Sequence, residues 1–270
     1  MKHNLNHSTF IIPIRIESED RLRNVITVLA FLLENFDTNI IVKEVDHESI
    51  FQKEAIPVLQ NILDDDIHIN HIFEKSTNNL FHRQKILNEM IMEANTQIVV
   101  NYDCDVLLPI NSIIKSYDLL YLKKCDIVYP YGSGMYQKQV NATDEIVSSF
   151  LQTYDYEILD INSKIHTSDF GWVQFFDRQV YIDGGMENEN FKAYSPEDKE
   201  RFYRFDKLGY NIQRIEDFVY HLEHSRGDNS WFSNPYMKSN FEEWEKIQKM
   251  NKIELIEYYK VQQYLQKYKS

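Results

Sequence analysis

Three short segments carry the residues of this chain best suited to chemistry: Asp103-Cys104-Asp105, Glu197-Asp198, and His221-Leu222-Glu223-His224-Ser225-Arg226. The first sets two carboxylates after an apolar run, Gln97-Ile98-Val99-Val100-Asn101-Tyr102. The second is an acidic pair after Tyr194-Ser195-Pro196, and the third offers two imidazoles three residues apart. Oxygen plus imidazole nitrogen suits a divalent metal of intermediate hardness, manganese rather than calcium. A carboxylate outside that set can then serve as a general base. Together these groups suit transfer of a sugar from a nucleotide diphosphate.

Each segment also has a plainer reading. In extended backbone, residues two apart face the same side, so Asp103 and Asp105 can address one metal and its ligand. Otherwise they form a polar strand end, with Cys104 as an inward filler. His221 and His224 have one-turn spacing if helical, but Gly227 and the strand-like Asp217-Phe218-Val219-Tyr220 argue for a loop. Glu197 and Asp198 follow Pro196 and are expected in the first turn of a helix, where acidic residues are favoured anyway. Phe81-His82-Arg83-Gln84-Lys85 reads as a basic helix start, or as an arginine for phosphate beside an aromatic ring.

The elements that must position these groups alternate between strand and helix. Strands are expected at Phe10–Ile14, Asn39–Val45, Ile67–Phe73 and Gln97–Tyr102, and later at Asp126–Tyr131 and Gly171–Phe176. Helices are expected over Leu22–Leu33, Ile50–Leu63 and Leu80–Ala94. That alternation predicts an α/β fold with a mainly parallel twisted sheet flanked by helices. Ligands of such sheets sit outside the carboxyl ends of the strands, where Arg15, Asp46, Asp103 and Asp105 all fall. Phe241–Tyr268 reads as an amphipathic helix or helical pair, with Trp244, Ile247, Met250 and Ile253 on one stripe. The expected organisation is a domain at 1–240, its nucleotide-binding half at 1–110 and its acceptor and catalytic half at 111–240, then a helical extension at 241–270.

Composition narrows the function further. With 42 acidic against 29 basic residues the formal charge is -13, which disfavours nucleic acid as a partner. An anionic nucleotide-sugar on such a chain needs local compensation by a metal or a few arginines. Cys104 and Cys125 have no zinc or disulfide spacing. The N-terminus lacks a secretory pattern, and the apolar run Val25–Leu33 is too short to span a bilayer. A cytoplasmic protein is expected, with peripheral contact at the inner face of a membrane as its closest approach to lipid. Abundant Ile, Asn, Lys and Tyr suggest an AT-rich bacterial source. The sequon Asn141-Ala142-Thr143 carries no weight without a secretory signal.

Four stretches occur in the order of four motifs of a known family: Ile12-Pro13-Ile14-Arg15, Phe81-His82-Arg83-Gln84-Lys85-Ile86-Leu87-Asn88, Asp103-Cys104-Asp105-Val106-Leu107-Leu108-Pro109, and His224-Ser225-Arg226 followed by Asn234-Pro235. They resemble Pro-Phe-Arg, Phe-Asn-Arg-Ala-Lys-Leu-Leu-Asn, Asp-Val-Asp-Leu-Ile-Pro and His-Ser-Arg with its Asn-Pro in the β-1,4-galactosyltransferase family and its bacterial relatives, which have the GT-A glycosyltransferase fold. Asp183-Gly184-Gly185 and Tyr194-Ser195-Pro196-Glu197-Asp198 stand in for Asn-Gly-Phe and Trp-Gly-Gly-Glu-Asp.

The resemblance, over residues 10 to 235, implies Asp105 and His224 as metal ligands, with His221 replacing a family methionine. It implies Asp198 as catalytic base and Glu197 as its partner at the acceptor. Arg15, Phe81, Arg83 and Asp103 would hold the nucleotide, with Pro13, Asp46, Gly171 and Tyr194 completing the donor-binding set. The expected function is a metal-dependent inverting transfer of a hexose or N-acetylhexosamine from a UDP-sugar to a glycan acceptor, free or lipid-linked, in bacterial surface-polysaccharide synthesis with Mn2+ or another divalent cation. Two rivals remain: a sugar nucleotidyltransferase, which would want a glycine-rich loop where Arg15-Ile16-Glu17-Ser18-Glu19 has none, and a non-catalytic glycan- or nucleotide-sugar-binding protein.

Overall fold

The computed structural model describes residues 2–63, 67–225 and 234–268. Strand β1 (His3–Ile14) leads into helix α1 (Glu19–Asn35) and strand β2 (Phe36–Asp46). A π-helical turn, Phe51–Ala55, then opens α2 (Ile56–Ile62), and β3 (Asn70–Lys75), α3 (Arg83–Glu93) and β4 (Ile98–Tyr102) follow. Next come β5 (Val106–Leu107), α4 (Ile110–Tyr121), β6 (Ile127–Tyr129) and β7 (Gly134–Val140). Helices α5 (Asp144–Thr153) and α6 (Tyr156–Ile161) precede β8 (Ser163–Ser168), β9 (Val173–Asp177) and α7 (Arg178–Asp183). The remaining elements are α8 (Glu197–Leu208), β10 (Ile212–Arg214), β11 (Val219–Leu222), α9 (Met237–Lys249), α10 (Lys252–Lys260) and α11 (Gln263–Gln266).

A seven-stranded sheet, ordered β10-β6-β9-β4-β1-β2-β3, forms the centre. β1 pairs in parallel with β2 and β4, β2 with β3, and β10 with β6. Only β9 runs against its neighbours β4 and β6. The sheet is therefore mainly parallel. All five residues of β4 are buried, as befits a strand covered on both faces.

A second sheet, ordered β5-β11-β7-β8, is anticipated in the sequence only by the strand-like Asp217-Phe218-Val219-Tyr220, which runs into β11 and carries the strand on to His221 and Leu222, in place of the expected loop. Its strand β5 is only two residues long, so it shows no alternation to read. This sheet matters most for the site. β5 follows Asp103-Cys104-Asp105 directly and pairs antiparallel with β11, setting His221 opposite Val106. The Leu222 amide also donates to the Asp105 carbonyl at 2.8 Å.

Several boundaries move for identifiable reasons. The helix expected over Ile50–Leu63 starts as a π-helical turn, because Pro57 has no N–H for the regular ladder. α3 begins at Arg83 rather than Leu80, leaving Phe81 and His82 outside the helix. The strand expected from Gly171 begins at Val173, since Gly171 and Trp172 have φ of 96° and 55°. The stripe expected to run from Trp244 to Ile253 stops short. Trp244 and Ile247 are buried, but the chain turns at Met250 and Asn251 caps a new helix through Ile253 N and Glu254 N. Ile253 is consequently 74% exposed. Among the described residues, no helix is long and apolar enough to cross a membrane.

α8 begins at Glu197, as expected, and ends at Gly209, whose φ of 88° closes the last turn. Its buried face carries Glu197, Glu200, Arg201, Arg204 and Phe205 at spacings normally filled by apolar residues. Glu200, Arg201 and Arg204 each have a charged partner. Arg201 donates to both Glu187 oxygens, at 2.6 and 3.0 Å, and lies 2.9 Å from Asp198. Arg204 pairs with Glu200 at 2.8 Å and donates to the Gly184 and Met186 carbonyls. Burial alone would push Glu187 up and Arg201 down, but their mutual charge wins on both sides.

A second arm of this network reaches the strand end. Arg201 donates to Gln174 at 2.9 Å, Asn101 donates to the same oxygen at 2.9 Å, and Arg83 donates to Asn101 at 3.2 Å and also to Asp103. Asp103 and Asp198 are thus joined through buried donors. Removing one member of a buried pair leaves an uncompensated charge, at about 3–5 kcal/mol. Arg201→Met should lower the urea-unfolding free energy by that amount. Combining it with Glu187→Gln should recover part of the loss, and equal losses in the single and double variants would deny the pairing.

Candidate active site

At the carboxyl end of β4 the chain opens into a cleft of about 890 Å³. Pro13, Phe81, Arg83, Asp103, Asp105, Tyr194, His221 and His224 all line it. A smaller adjoining cavity shares Pro13, Phe81, Arg83 and Tyr194 and adds Arg15 and Glu197. Most of the residues expected to act together therefore meet at one place, with three qualifications. Asp198 lines neither cavity, although its neighbour Glu197 lines the smaller one. Asp46 lines neither cavity, because its carboxylate is taken by the His47 amide at 2.7 Å and ring at 2.8 Å. Gly171 faces the candidate base instead: a Cβ there would lie 2.9 Å from Asp198 Oδ2.

Asp105, His221 and His224 present ligand atoms within 4.8 Å of one another, the candidate metal cluster among the described residues. His224 Nε2 lies 3.0 Å and His221 Nε2 3.8 Å from Asp105 Oδ2. The other ring nitrogen of His224, Nδ1, meets the Ser225 carbonyl at 2.6 Å. A proton on Nδ1 satisfies that carbonyl and directs the Nε2 lone pair inward, the usual outer support of a metal-binding histidine. Asp105 Oδ1 is buried with no partner. One carboxylate, two imidazoles and an unsatisfied oxygen fit a divalent cation of the manganese type.

The electrostatics agree with that fit. Burial would raise the Asp105 carboxyl, but the His224 hydrogen bond and the charges of both imidazoles hold it near 2. Burial would lower His224, and Asp105 pulls it up instead. A metal would take the place of this shared proton. Asp103 behaves oppositely: burial drives it up to about 6, Arg83 opposes the rise, and Asp105 and Asp198 add repulsion.

Some supporting residues were not singled out in the sequence. Asp20 accepts from Ser225 N at 2.5 Å and from its hydroxyl at 3.1 Å, tying down the segment that carries His224. Arg21 and Arg23 line the cleft. Arg15 donates to the carbonyls of Val45, Asn78 and Asn79 and sits over the Phe81 ring at 5.3 Å, so it orders the loop that places Phe81. Trp172 packs on His221 with ring centroids 4.6 Å apart. An isolated tryptophan between a glycine and a strand gives no periodic signal, and a carboxylate in an acidic turn looks like helix capping. Arg226, part of the His-Ser-Arg resemblance, lies outside the described residues together with Gly227.

No protein-family model matches the chain, nor does any curated protein. Among solved structures, the mannosyltransferase PcManGT from Pyrobaculum calidifontis, in complex with GDP-Man and Mn2+, is similar at TM-score 0.50 and 14% identity. The match covers 82% of this chain, which spans 58% of the mannosyltransferase's length. The catalytic domain of Drosophila beta1,4galactosyltransferase 7, in complex with xylobiose, follows at TM-score 0.48 and 16% identity, covering 87% of this chain and 79% of that one. The central sheet flanked by helices matches the GT-A glycosyltransferase fold.

Proposed function

We propose that this chain is a metal-dependent inverting glycosyltransferase that moves a hexose or N-acetylhexosamine from a UDP-sugar to a hydroxyl of a glycan acceptor. The observation that carries the reading is the Asp105–His221–His224 cluster in the strand-end cleft, with Glu197, at the start of the helix that carries Asp198, in the adjoining cavity. A binding protein needs no carboxylate held apart from the cation site, and a transferase does. The motif resemblance favours uridine over other bases. It also favours a bacterial surface polysaccharide, with a lipid-linked acceptor presented at the inner face of the membrane.

Each group has a task in this reading. Asp105, His221 and His224 hold the cation, which when bound supplies charge neutralisation to the leaving diphosphate. Phe81 and Pro13 face the nucleotide, and Arg83 turns toward its phosphates while keeping Asp103 in place. Arg15 contributes by ordering the Phe81 loop, and Tyr194 borders the donor from the far wall. Asp198 accepts the proton of the acceptor hydroxyl. That oxygen forms a bond to the anomeric carbon as the carbon–phosphate-oxygen bond breaks, and the electron pair leaves on the diphosphate.

Glu197 sits beside Asp198 with a different protonation state. Burial first, and then the Asp198 charge, raise its carboxyl from 4.5 to about 8. It is 6% exposed and Oε2 has no partner. A neutral Glu197 avoids like-charge repulsion with the base and can donate a hydrogen bond toward the acceptor.

Three measurements test these assignments. Asp105→Ala should weaken metal-dependent UDP binding by about tenfold or more, since even outer-shell losses cost roughly that much; calorimetry with UDP and Mn2+ reads it, and unchanged affinity removes the metal site. Asp198→Asn should keep donor affinity yet lose transfer by roughly a hundred- to ten-thousand-fold. As a helix cap, asparagine would serve nearly as well as aspartate, so product formation within a fewfold of the parent rate would sink the base.

Glu197 gives the third. Because its folded pKa is raised, its stabilising contribution is complete below the unfolded 4.5 and is lost as pH climbs through about 8. Urea midpoints should fall from pH 5 toward pH 9 in the parent (roughly the span of that shift). Glu197→Gln should flatten the slope, and parallel slopes would mean that Glu197 is ionised throughout.

A further inference from the structure

Trp172 is a bulky residue held at φ 55°, a region such side chains rarely occupy. It follows Gly171 at φ 96°, so two successive left-handed residues turn the backbone just before β9. Hydrogen bonds fix the turn from both sides. The Trp172 carbonyl accepts from the Asp103 amide at 3.1 Å, and the Gly171 carbonyl accepts from Tyr131 Oη at 2.8 Å. The turn sets Gly171 against Asp198 and lays the indole on His221. Trp172 therefore lies between the candidate base and a candidate metal ligand, where the sugars of a transfer reaction must meet. Backbone held in a costly conformation at such a point marks function more than filling.

The walls of the cleft differ in charge. On one side are Arg21, Arg23 and Arg83 with Phe81; on the other, β7 and β8 contribute Gln137, Gln139, His166 and Ser168. Gln137 is 1% exposed, its oxygen meets His166 Nδ1 at 3.3 Å, and its Nε2 has no partner; the indole Nε1 of Trp172 is likewise buried without one. Two unspent N–H donors, an imidazole and a hydroxyl on a wall without charged side chains suit an uncharged, hydroxyl-rich ligand.

Building on the proposed glycosyltransferase reading, we infer that Trp172 is the stacking platform of the acceptor subsite and that the acceptor ends in a neutral pyranose. The C–H face of that sugar lies on the indole, and its hydroxyls turn toward Gln137 and His166. A uronic acid would bring a carboxylate to a wall with no lysine or arginine to receive it.

Saturation-transfer NMR with methyl glycosides of glucose, galactose, mannose and N-acetylglucosamine, and with methyl glucuronoside, tests this on the full chain carrying Mn2+ and UDP. At least one neutral glycoside should bind and the glucuronoside should not. Trp172→Phe should retain that binding within a fewfold, and Trp172→Ala should weaken it about tenfold, the scale of one aromatic stack. Calorimetry should give both variants the parent affinity for Mn2+ and UDP. Preference for the glucuronoside, no neutral glycoside bound, or equal binding by Trp172→Ala would each overturn the inference. So would loss of Mn2+ and UDP affinity in Trp172→Ala, which would make Trp172 a positioning residue for His221. A parent chain that fails to bind UDP and Mn2+ at all refutes the glycosyltransferase reading itself.

Discussion

The constraint on which the site rests is the gathering of many carboxylates in a small, poorly solvated volume. Asp103, Asp105, Glu187, Glu197, Asp198 and Glu200 lie at or just beneath the cleft, and carboxylates so placed repel one another and resist burial. Three arginines answer them, the buried Arg201 to Glu187 and Asp198 and Arg204 to Glu200, and the half-buried Arg83 to Asp103. Asp105 is held by imidazoles and Glu197 by a proton. Each acid thus has its own compensation, and that fixes its chemical character. Asp198 is paired with an arginine, whereas Glu197 carries its proton. Buried ion pairs are poor evidence for net stability, but they are directional, and here they set the places of the candidate base and of the strand end beside the candidate metal cluster.

The two sheets divide the labour. The central sheet brings Asp103 to a strand end through β4, where nucleotide chemistry is expected for this topology. Asp105 belongs to the turn into β5, and its geometry depends on the small second sheet, because β11 pairs with β5 and carries His221. His224 lies just past β11, and Asp20, at the start of α1, pins the segment after it through Ser225. The metal cluster is therefore assembled from residues more than a hundred positions apart, by a sheet whose shortest strand is two residues.

That division also explains what the sequence revealed. Strongly periodic segments such as α1, and continuous apolar runs such as β4, could be read with boundaries off by only a few residues, and they were enough for the α/β architecture. Asp105, His221 and His224 could be nominated because oxygen–nitrogen sets are rare and chemically specific. β5 and β11 could not be paired in advance, because their register is set by tertiary contact. Arg201 and Arg204 occupy core positions of α8 that a hydrophobic pattern marks as solvent-facing. Trp172 depends on a backbone angle that residue type argues against. Asp46 illustrates the reverse: it too ends a strand of the central sheet, but its side chain turns to His47 rather than to the cleft.

Charge finally gives the cleft a direction. A chain of net charge -13 repels a free nucleotide diphosphate at long range, so attraction has to be local. Arg21, Arg23 and Arg83 supply it on the Phe81 side, while the β7–β8 wall offers only uncharged polar groups. A ligand with a charged end and a neutral end is oriented by that difference before it makes close contact, since electrostatic complementarity selects register more than raw affinity. Under the proposed function, the diphosphate is drawn to the arginine side and the sugar is directed toward Trp172 and Asp198. On that reading, an acidity unfavourable to nucleic acid and a local basicity suited to a nucleotide-sugar are two scales of one charge distribution.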